Sequence, residues 1–272
     1  MPAIPRCDKP TVEQFREQFA LPGRPVILTG VTDKWAALRW TPREMAERFG
    51  EAVVELTPDK STLEGTKQTS LSEYVQAVES GQADGDYLTS WCFRTECPEL
   101  LRDFEIPEYF QDDWLEELPE KNDMLWLFLG GEGSGMGLHQ DLGHTAAWNA
   151  QVTGLKRWAL VSPEDSDFVY QGKVCAFKPN RVRYPRFRKA EVWEGEVAAG
   201  EVLFIPPAWW HQTMNLETGF AITAMPGGEI EEYGTHDTPS CRALRDFFPF
   251  HPGHRAGARA LQVRHAGHQR LA

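Results

Sequence analysis

The chain has 272 residues and a formal net charge of −12. Its hydrophobic content of 41% supports a sizeable core and excludes wholesale disorder, and no stretch reaches the roughly 18–20 apolar residues that a membrane span needs. The acidic balance argues against a nucleic-acid binder as the default, although residues 241–272 carry six Arg against one Asp and form a basic, His-rich tail.

In chain order, Thr11 to Phe19 reads as a helix, with Val12, Phe15 and Phe19 at helical spacing. The run Arg24-Pro-Val-Ile-Leu-Thr-Gly is a short strand bounded by Pro and Gly. Thr41-Pro-Arg-Glu supplies an N-cap, a Pro at the first helical position and a Glu three residues on, and that helix ends at Gly50. A strand over Ala52–Leu56 and a capped helix over Ser70–Ser80 follow. Residues 98–123 are acidic and Pro-punctuated and read as loop plus short helix. From Leu125 onward the pattern is strands: Leu125–Leu129, Trp148–Val152, Leu155–Val161, Glu191–Val197, Val202–Ile205, Trp210–Asn215 and Phe220–Ala224. Thr153-Gly154 and Ala199-Gly200 sit where tight hairpin turns belong. Short strands at this spacing predict a jelly-roll sandwich or barrel with helices outside it.

The segment Gly135-Met-Gly-Leu-His139-Gln-Asp141 carries the first chemical signal. In extended backbone, residues two apart point to one face, so His139 and Asp141 converge. An imidazole and a carboxylate make two thirds of a facial triad for non-haem Fe(II). The third ligand is expected from a distant strand, and Gly200-Glu-Val-Leu-Phe-Ile-Pro-Pro-Ala-Trp-Trp-His211 offers one after a Pro-rich corner. A lone His-x-Asp is a weak motif, and a satisfied polar histidine is the commoner alternative. Strand alternation also puts Lys156, Trp158 and Leu160 on one face, and an inward Lys among apolar groups needs an anion.

These segments, Ser134-Gly-Met-Gly-Leu-His-Gln-Asp, Thr145-Ala-Ala-Trp-Asn-Ala-Gln-Val-Thr-Gly-Leu-Lys-Arg-Trp, and the strand ending in Trp209-Trp210-His211 with Asn215-Leu-Glu-Thr, resemble the JmjC (jumonji-C, cupin-like) oxygenases. The likeness is greatest to a small hydroxylase branch that includes a lysyl hydroxylase once described as an arginine demethylase, and it runs from about Pro25 to Pro226. It implies a mainly β protein with flanking helices, built on a double-stranded β-helix (jelly-roll) barrel. It implies oxidation by Fe(II) and O2 with 2-oxoglutarate as co-substrate, and iron held by His139, Asp141 and His211. By the same resemblance Lys156 pairs with the far carboxylate of 2-oxoglutarate, and Asn149, Tyr87 and Thr223 match polar positions near it. Asn215, four residues after His211, is a candidate to orient the site. Met136 and Met225 depart from the branch, replacing hydrogen-bonding side chains by a thioether that accepts weakly.

Three regions follow: a mixed helix and strand region over 1–124 packing on the barrel, the barrel core over 125–226, and a helical or partly disordered basic tail over 227–272. The expected activity is hydroxylation of an amino-acid side chain in a protein, peptide or small-molecule substrate, the partner being a protein, a peptide or an amino-acid-like molecule. The alternatives are a catalytically silent metal-binding cupin, acting as sensor or scaffold, and a tRNA-modifying hydroxylase, which only the basic tail supports. Cys7, Cys92, Cys97, Cys175 and Cys241 are scattered with no CxxC, and the start lacks an apolar signal region, so a cytoplasmic chain with reduced thiols is expected. Ala243–Phe250 is a candidate homodimer contact. The cluster Arg181, Arg183, Arg186, Arg188 and Lys189 reads as a solvated insertion or as a trap for an acidic substrate.

Overall fold

The computed structural model of the chain describes residues 1–58, 66–111, 125–141 and 144–225. The tail from 227 and the Ala243–Phe250 segment lie outside the described residues. The described strands are β1 (Arg6–Asp8), β2 (Val26–Thr29), β3 (Val53–Thr57), β4 (Lys67–Ser70), β5 (Tyr87–Trp91), β6 (Leu125–Gly130), β7 (Ala147–Gln151), β8 (Leu155–Val161), β9 (Val192–Ala198), β10 (Val202–Ile205), β11 (Trp210–Asn215) and β12 (Gly219–Ala224). They form a large sheet in the order β1-β2-β10-β7-β12-β6-β5-β3-β4 and a small one in the order β11-β8-β9. Apart from the parallel β1–β2 pair, every neighbouring pair is antiparallel. This is the expected jelly-roll barrel with helices outside it.

Alternation along the strands builds the barrel. In β10, Val202 and Phe204 face one way into the larger core, while Leu203 and Ile205 face the other way into the barrel interior. In β8, Trp158 and Leu160 point inward, and Ala159 and Val161 pack outward under the segment between β8 and β9. The interior is filled from both sheets, with Ile27, Trp126, Ala147, Leu203 and Met225 meeting Trp158, Leu160 and Val197. Because both faces of these strands are covered, they read as near-continuous apolar runs. Gly154 and Gly200 take positive φ of 76° and 86° at the two anticipated hairpin turns.

The helices cover the outer face of the large sheet. Helix α1 (Val12–Phe15) opens with a capping box at Thr11 and widens into a π-helical turn over Arg16–Ala20. Sequence periodicity predicts one regular helix there. The widened turn instead keeps Phe15 and Phe19 both buried, with Phe15 packed against Tyr109, Phe110 and Phe204. Helix α2 (Pro42–Phe49) is capped by Thr41, which accepts from Glu44 N–H. Helix α3 (Leu71–Glu79) has a Ser70/Glu73 capping box and buries Leu71, Tyr74, Val75 and Val78 along one stripe. A last short helix is α4 (Phe93–Glu96). No helix among the described residues is long and apolar enough to cross a membrane.

Candidate metal centre

Two backbone hydrogen bonds place one imidazole opposite the other. His139 N–H donates to the His211 carbonyl at 3.0 Å, and His211 N–H donates back to His139 at 2.8 Å. The pairing continues as Thr213 N–H to Met136 O and Asn215 N–H to Ser134 O, so the segment 134–139 lies antiparallel along β11. Period-two alternation on β11 then turns His211, Thr213 and Asn215 toward the interior and Gln212 toward the outer face, where it accepts from Ala176 N–H.

Ligand atoms of His139, Asp141 and His211 all lie within 4.8 Å of one another. The His211 Nε2 to Asp141 Oδ1 distance is 3.6 Å, and the two rings have centroids 4.2 Å apart. Each ring is oriented from behind. His139 Nδ1–H donates to the Gly137 carbonyl at 2.8 Å, and His211 Nδ1–H donates to the Trp209 carbonyl at 3.1 Å. A carbonyl only accepts, so both rings carry their proton on Nδ1 and present a lone pair on Nε2. Burial, and after it the neighbouring His211, pull His139 down to about 4, so its ring is neutral at pH 7. Two imidazoles and a carboxylate suit a divalent first-row metal and leave positions open on it.

Deeper in the barrel, Lys156 is 2% exposed and faces no carboxylate among the described residues. Its ammonium donates to Tyr87 Oη at 3.1 Å and sits 5.8 Å from the ring centroids of Tyr87, Phe128 and Trp158. Burial pulls Lys156 down to about 7. Burial pushes the Tyr87 phenol well above its ordinary range, so it stays protonated. Asn149 and Thr223, which face each other in register, are joined by a hydrogen bond from Asn149 Nδ2 to Thr223 Oγ1. No hydrogen bond links this pair to the Lys156–Tyr87 pair among the described residues.

Among the described residues, three buried polar atoms here lack a hydrogen-bond partner: Asn149 Oδ1, Asn215 Oδ1 and the Trp158 indole N–H. Native interiors rarely leave such groups orphaned. Of these only the Trp158 N–H can donate; with the Lys156 ammonium, which spends one of its N–H groups on Tyr87, it fits an anionic ligand in the barrel, as a keto acid with two carboxylates would be, while the two amide oxygens accept and fit a donor such as water.

Asn215 lies at the Lys156 end of the barrel rather than beside the triad. It pairs in register with Lys156, donates to Ser134 Oγ at 2.8 Å and lies against the Tyr87 phenol. Sequence reasoning missed Ser134 and Phe128, and it placed Trp158 on the Lys156 face without giving its indole N–H a role. Trp158 was legible, because the alternation that turns Lys156 inward turns its neighbour two residues on the same way. Met225 is buried and its sulfur accepts from Thr145 Oγ at 3.3 Å, while Met136 is tied to Thr213 through its backbone. His144 takes a left-handed φ of 56°, its N–H donates to the Asp141 carbonyl and its own carbonyl accepts from Ala208 N–H. Trp209 is buried and donates to the Gly23 carbonyl, and Trp210 donates outward to Ser166 Oγ at 2.9 Å.

A family model described as a cupin-like domain matches residues 12–225. The chain is 30% identical over 239 residues to a lysine-specific demethylase, JMJ21, of Arabidopsis thaliana, covering 78% of this chain and 24% of that one. It is 30% identical over 234 residues to the bifunctional arginine demethylase and lysyl-hydroxylase psr-1 of Caenorhabditis elegans, covering 78% and 58%. It is 26% identical over 252 residues to the 2-oxoglutarate and iron-dependent oxygenase JMJD4 of Gallus gallus, covering 80% and 58%. The chain thus spans only part of each of these relatives. Because the match takes in both sheets of the barrel and all three triad positions, the chain belongs to the cupin-like domain family, on its JmjC branch.

Proposed function

We propose that the chain is an oxygenase that uses Fe(II), 2-oxoglutarate and O2 to hydroxylate an amino-acid side chain of a protein or peptide. The observation that carries this reading is one barrel that holds both the His139–Asp141–His211 cluster and the buried, carboxylate-free Lys156. A metal-binding cupin without a co-substrate has no need of that lysine, because a buried ammonium is costly without a partner.

In this reading His139 and His211 hold iron through Nε2 and Asp141 through its carboxylate. Lys156 and the Tyr87 phenol hold the far carboxylate of 2-oxoglutarate, with Asn149, Thr223 and the Trp158 indole as further polar contacts along the barrel. When bound, iron and the keto acid supply the activation of O2 that places an oxygen atom on a substrate carbon. The chain's own part is orientation and exclusion of water. The carbonyls of Gly137 and Trp209 fix the rings, and the Trp158, Leu160 and Leu203 side chains keep the interior apolar. The names of the relatives carry lysyl hydroxylation and arginine or lysine demethylation, so a basic side chain of a protein is the target class they bring.

The test is incubation with Fe(II), 2-oxoglutarate and Lys- or Arg-containing peptides under air, read by mass spectrometry and by succinate. Gain of one oxygen on a peptide, or loss of a methyl group from a methylated one, with matching succinate is expected. Absence of succinate and of both mass changes across a broad peptide set, with wild-type chain shown to be folded, contradicts the reading.

A further inference from the structure

The segment between β8 and β9 holds a charge pattern that the oxygenase reading does not use. From Gln171 to Ala190 there are seven cations, Lys173, Lys178, Arg181, Arg183, Arg186, Arg188 and Lys189, and no acidic residue. A chain at −12 with +7 here leaves −19 for the rest. With so many carboxylates available, the cations would be expected to find partners. Instead all seven are exposed, and none lies in an ion pair among the described residues.

Three of the seven are also held against aromatic rings. Arg183 lies over the Tyr184 ring at 5.4 Å, Arg186 over Tyr170 at 5.1 Å and Lys189 over Phe168 at 5.6 Å. Asn180 Oδ1 accepts from the N–H groups of Val182 and Arg183, and Tyr184 N–H donates to the Asn180 carbonyl, which fixes the tip of the segment. That tip carries Val182, an apolar side chain 93% exposed, between Arg181 and Arg183. Four of the seven cations are Arg, whose planar fork matches a carboxylate in two bonds.

The segment is anchored on the neighbours of both imidazoles. Ser166 accepts from Trp210 and Ala176 donates to Gln212, the residues on either side of His211. Gly172 lies so close to Leu138, the residue before His139, that a Cβ there would sit 2.1 Å from the Leu138 carbonyl. Tyr170 and Gln171 hold left-handed backbone just before it, at φ of 54° and 56°. Such strain persists only where the surroundings enforce it, and it gathers at sites of function.

We propose that residues 171–190 form a docking surface for an acidic peptide segment, which presents a neighbouring target residue to the metal centre. That the docked segment belongs to the substrate rests on the oxygenase reading; the docking itself does not. Arg183, Arg186 and Lys189, already ordered against aromatic rings, bind carboxylates with little further loss of side-chain freedom. The −19 of the remaining surface opposes a long polyanion such as RNA, while a short acidic peptide can meet the basic segment alone.

The experiment is fluorescence anisotropy with a short labelled peptide of alternating Glu and Ala, a matched peptide of Lys and Ala, and a single-stranded RNA of similar length. The full chain is titrated metal-free and again with Mn(II) and 2-oxoglutarate. The acidic peptide is expected to bind both forms, more weakly as salt rises, and Arg181→Glu with Arg183→Glu is expected to weaken it by about tenfold or more. Circular dichroism and Mn(II) binding of that variant should match wild type, because both side chains lie at the exposed tip. Equal binding of acidic and basic peptides, an unaffected double variant, tighter binding of the RNA, or self-association of the chain through this face in sedimentation would each overturn the proposal. If the acidic peptide binds but neither wild type nor any variant oxidises a substrate, the docking surface stands and the oxygenase reading fails. If the double variant oxidises an acidic-flanked substrate with unchanged KM, the oxygenase reading stands and the docking surface fails.

Discussion

Lys156 is the residue whose surroundings say most about what the barrel holds. It is buried among Tyr87, Phe128 and Trp158, with a single protein hydrogen bond among the described residues. Lys156→Ala should weaken 2-oxoglutarate binding by about 100-fold or more in calorimetry, since a charge-assisted pair in a desolvated site is lost. Binding of Mn(II) to the triad should be unchanged. The same lysine gives a pH dependence. Burial alone pulls it from 10.5 down to about 7, so at pH 8 it is mostly neutral in the empty barrel. A carboxylate arriving beside it restores the proton. Binding measured at pH 8 in buffers of different ionisation enthalpy should therefore show uptake of close to one proton, and affinity should fall as pH rises above about 7. For stability the sign is opposite. The unfolded chain holds this proton up to 10.5 and the folded chain only to about 7, so the folded state gains stability with rising pH across that window, and Lys156→Met should flatten the rise.

At this scale the sequence was informative where alternation could be read. Alternation gave Lys156 the face of Trp158; Asn149 and Thr223, which the resemblance brought in, share faces with the barrel-filling Ala147 and Met225. Tyr87 was harder, because its strand has no bounding Pro and its pairing with β6 shifts register between Leu88 and Trp91. Ser134 gave no signal of its own. Its contact with Asn215 exists only because two segments 81 residues apart run side by side.

Among the elements, the long apolar strands were legible and the short polar ones were not. The Leu125 and Val202 strands announce themselves as apolar runs between turns, while the Leu155 and Trp210 strands mix polar and apolar residues. Strands β1 and β4 are Arg-Cys-Asp and Lys-Gln-Thr-Ser at the two edges of the large sheet, where exposure removes the apolar pattern. The segment between β8 and β9 was read as an insertion, but nothing local foretold that it would be tied to Leu138, Trp210 and Gln212. Gly172 makes that tie testable. It combines a φ of 79° with a close approach to the Leu138 carbonyl. Gly172→Ala should cost about 2 kcal/mol in urea unfolding and weaken Mn(II) binding, because the displaced carbonyl belongs to the residue before His139. Unchanged stability and metal affinity would separate the segment from the centre.

For the whole molecule, two sheets and three packed core layers frame the triad. The large sheet buries one face against the helices and the other against the small sheet, which in turn carries the 163–190 segment on its outer face. Trp148 is fully buried at the middle of the first layer and stacks on Phe110 at 5.7 Å. Trp148→Ala should cost about 3–5 kcal/mol, read as a lower urea midpoint with an unchanged slope. The barrel class was legible from strand spacing, yet the strand order was not. The sheet order places β10 between β2 and β7, and the chain leaving β10 enters β11 of the other sheet, where His211 pairs with His139 across 72 residues of chain.

The most direct test is an anaerobic titration of the wild-type chain and of His211→Ala with Fe(II) and 2-oxoglutarate, followed by visible absorption. The wild type should develop a weak charge-transfer band that saturates at one iron per chain, and His211→Ala should show none while remaining folded. A folded wild type that gives no band, or a band that survives the loss of that imidazole, would contradict an iron centre built from His139, Asp141 and His211.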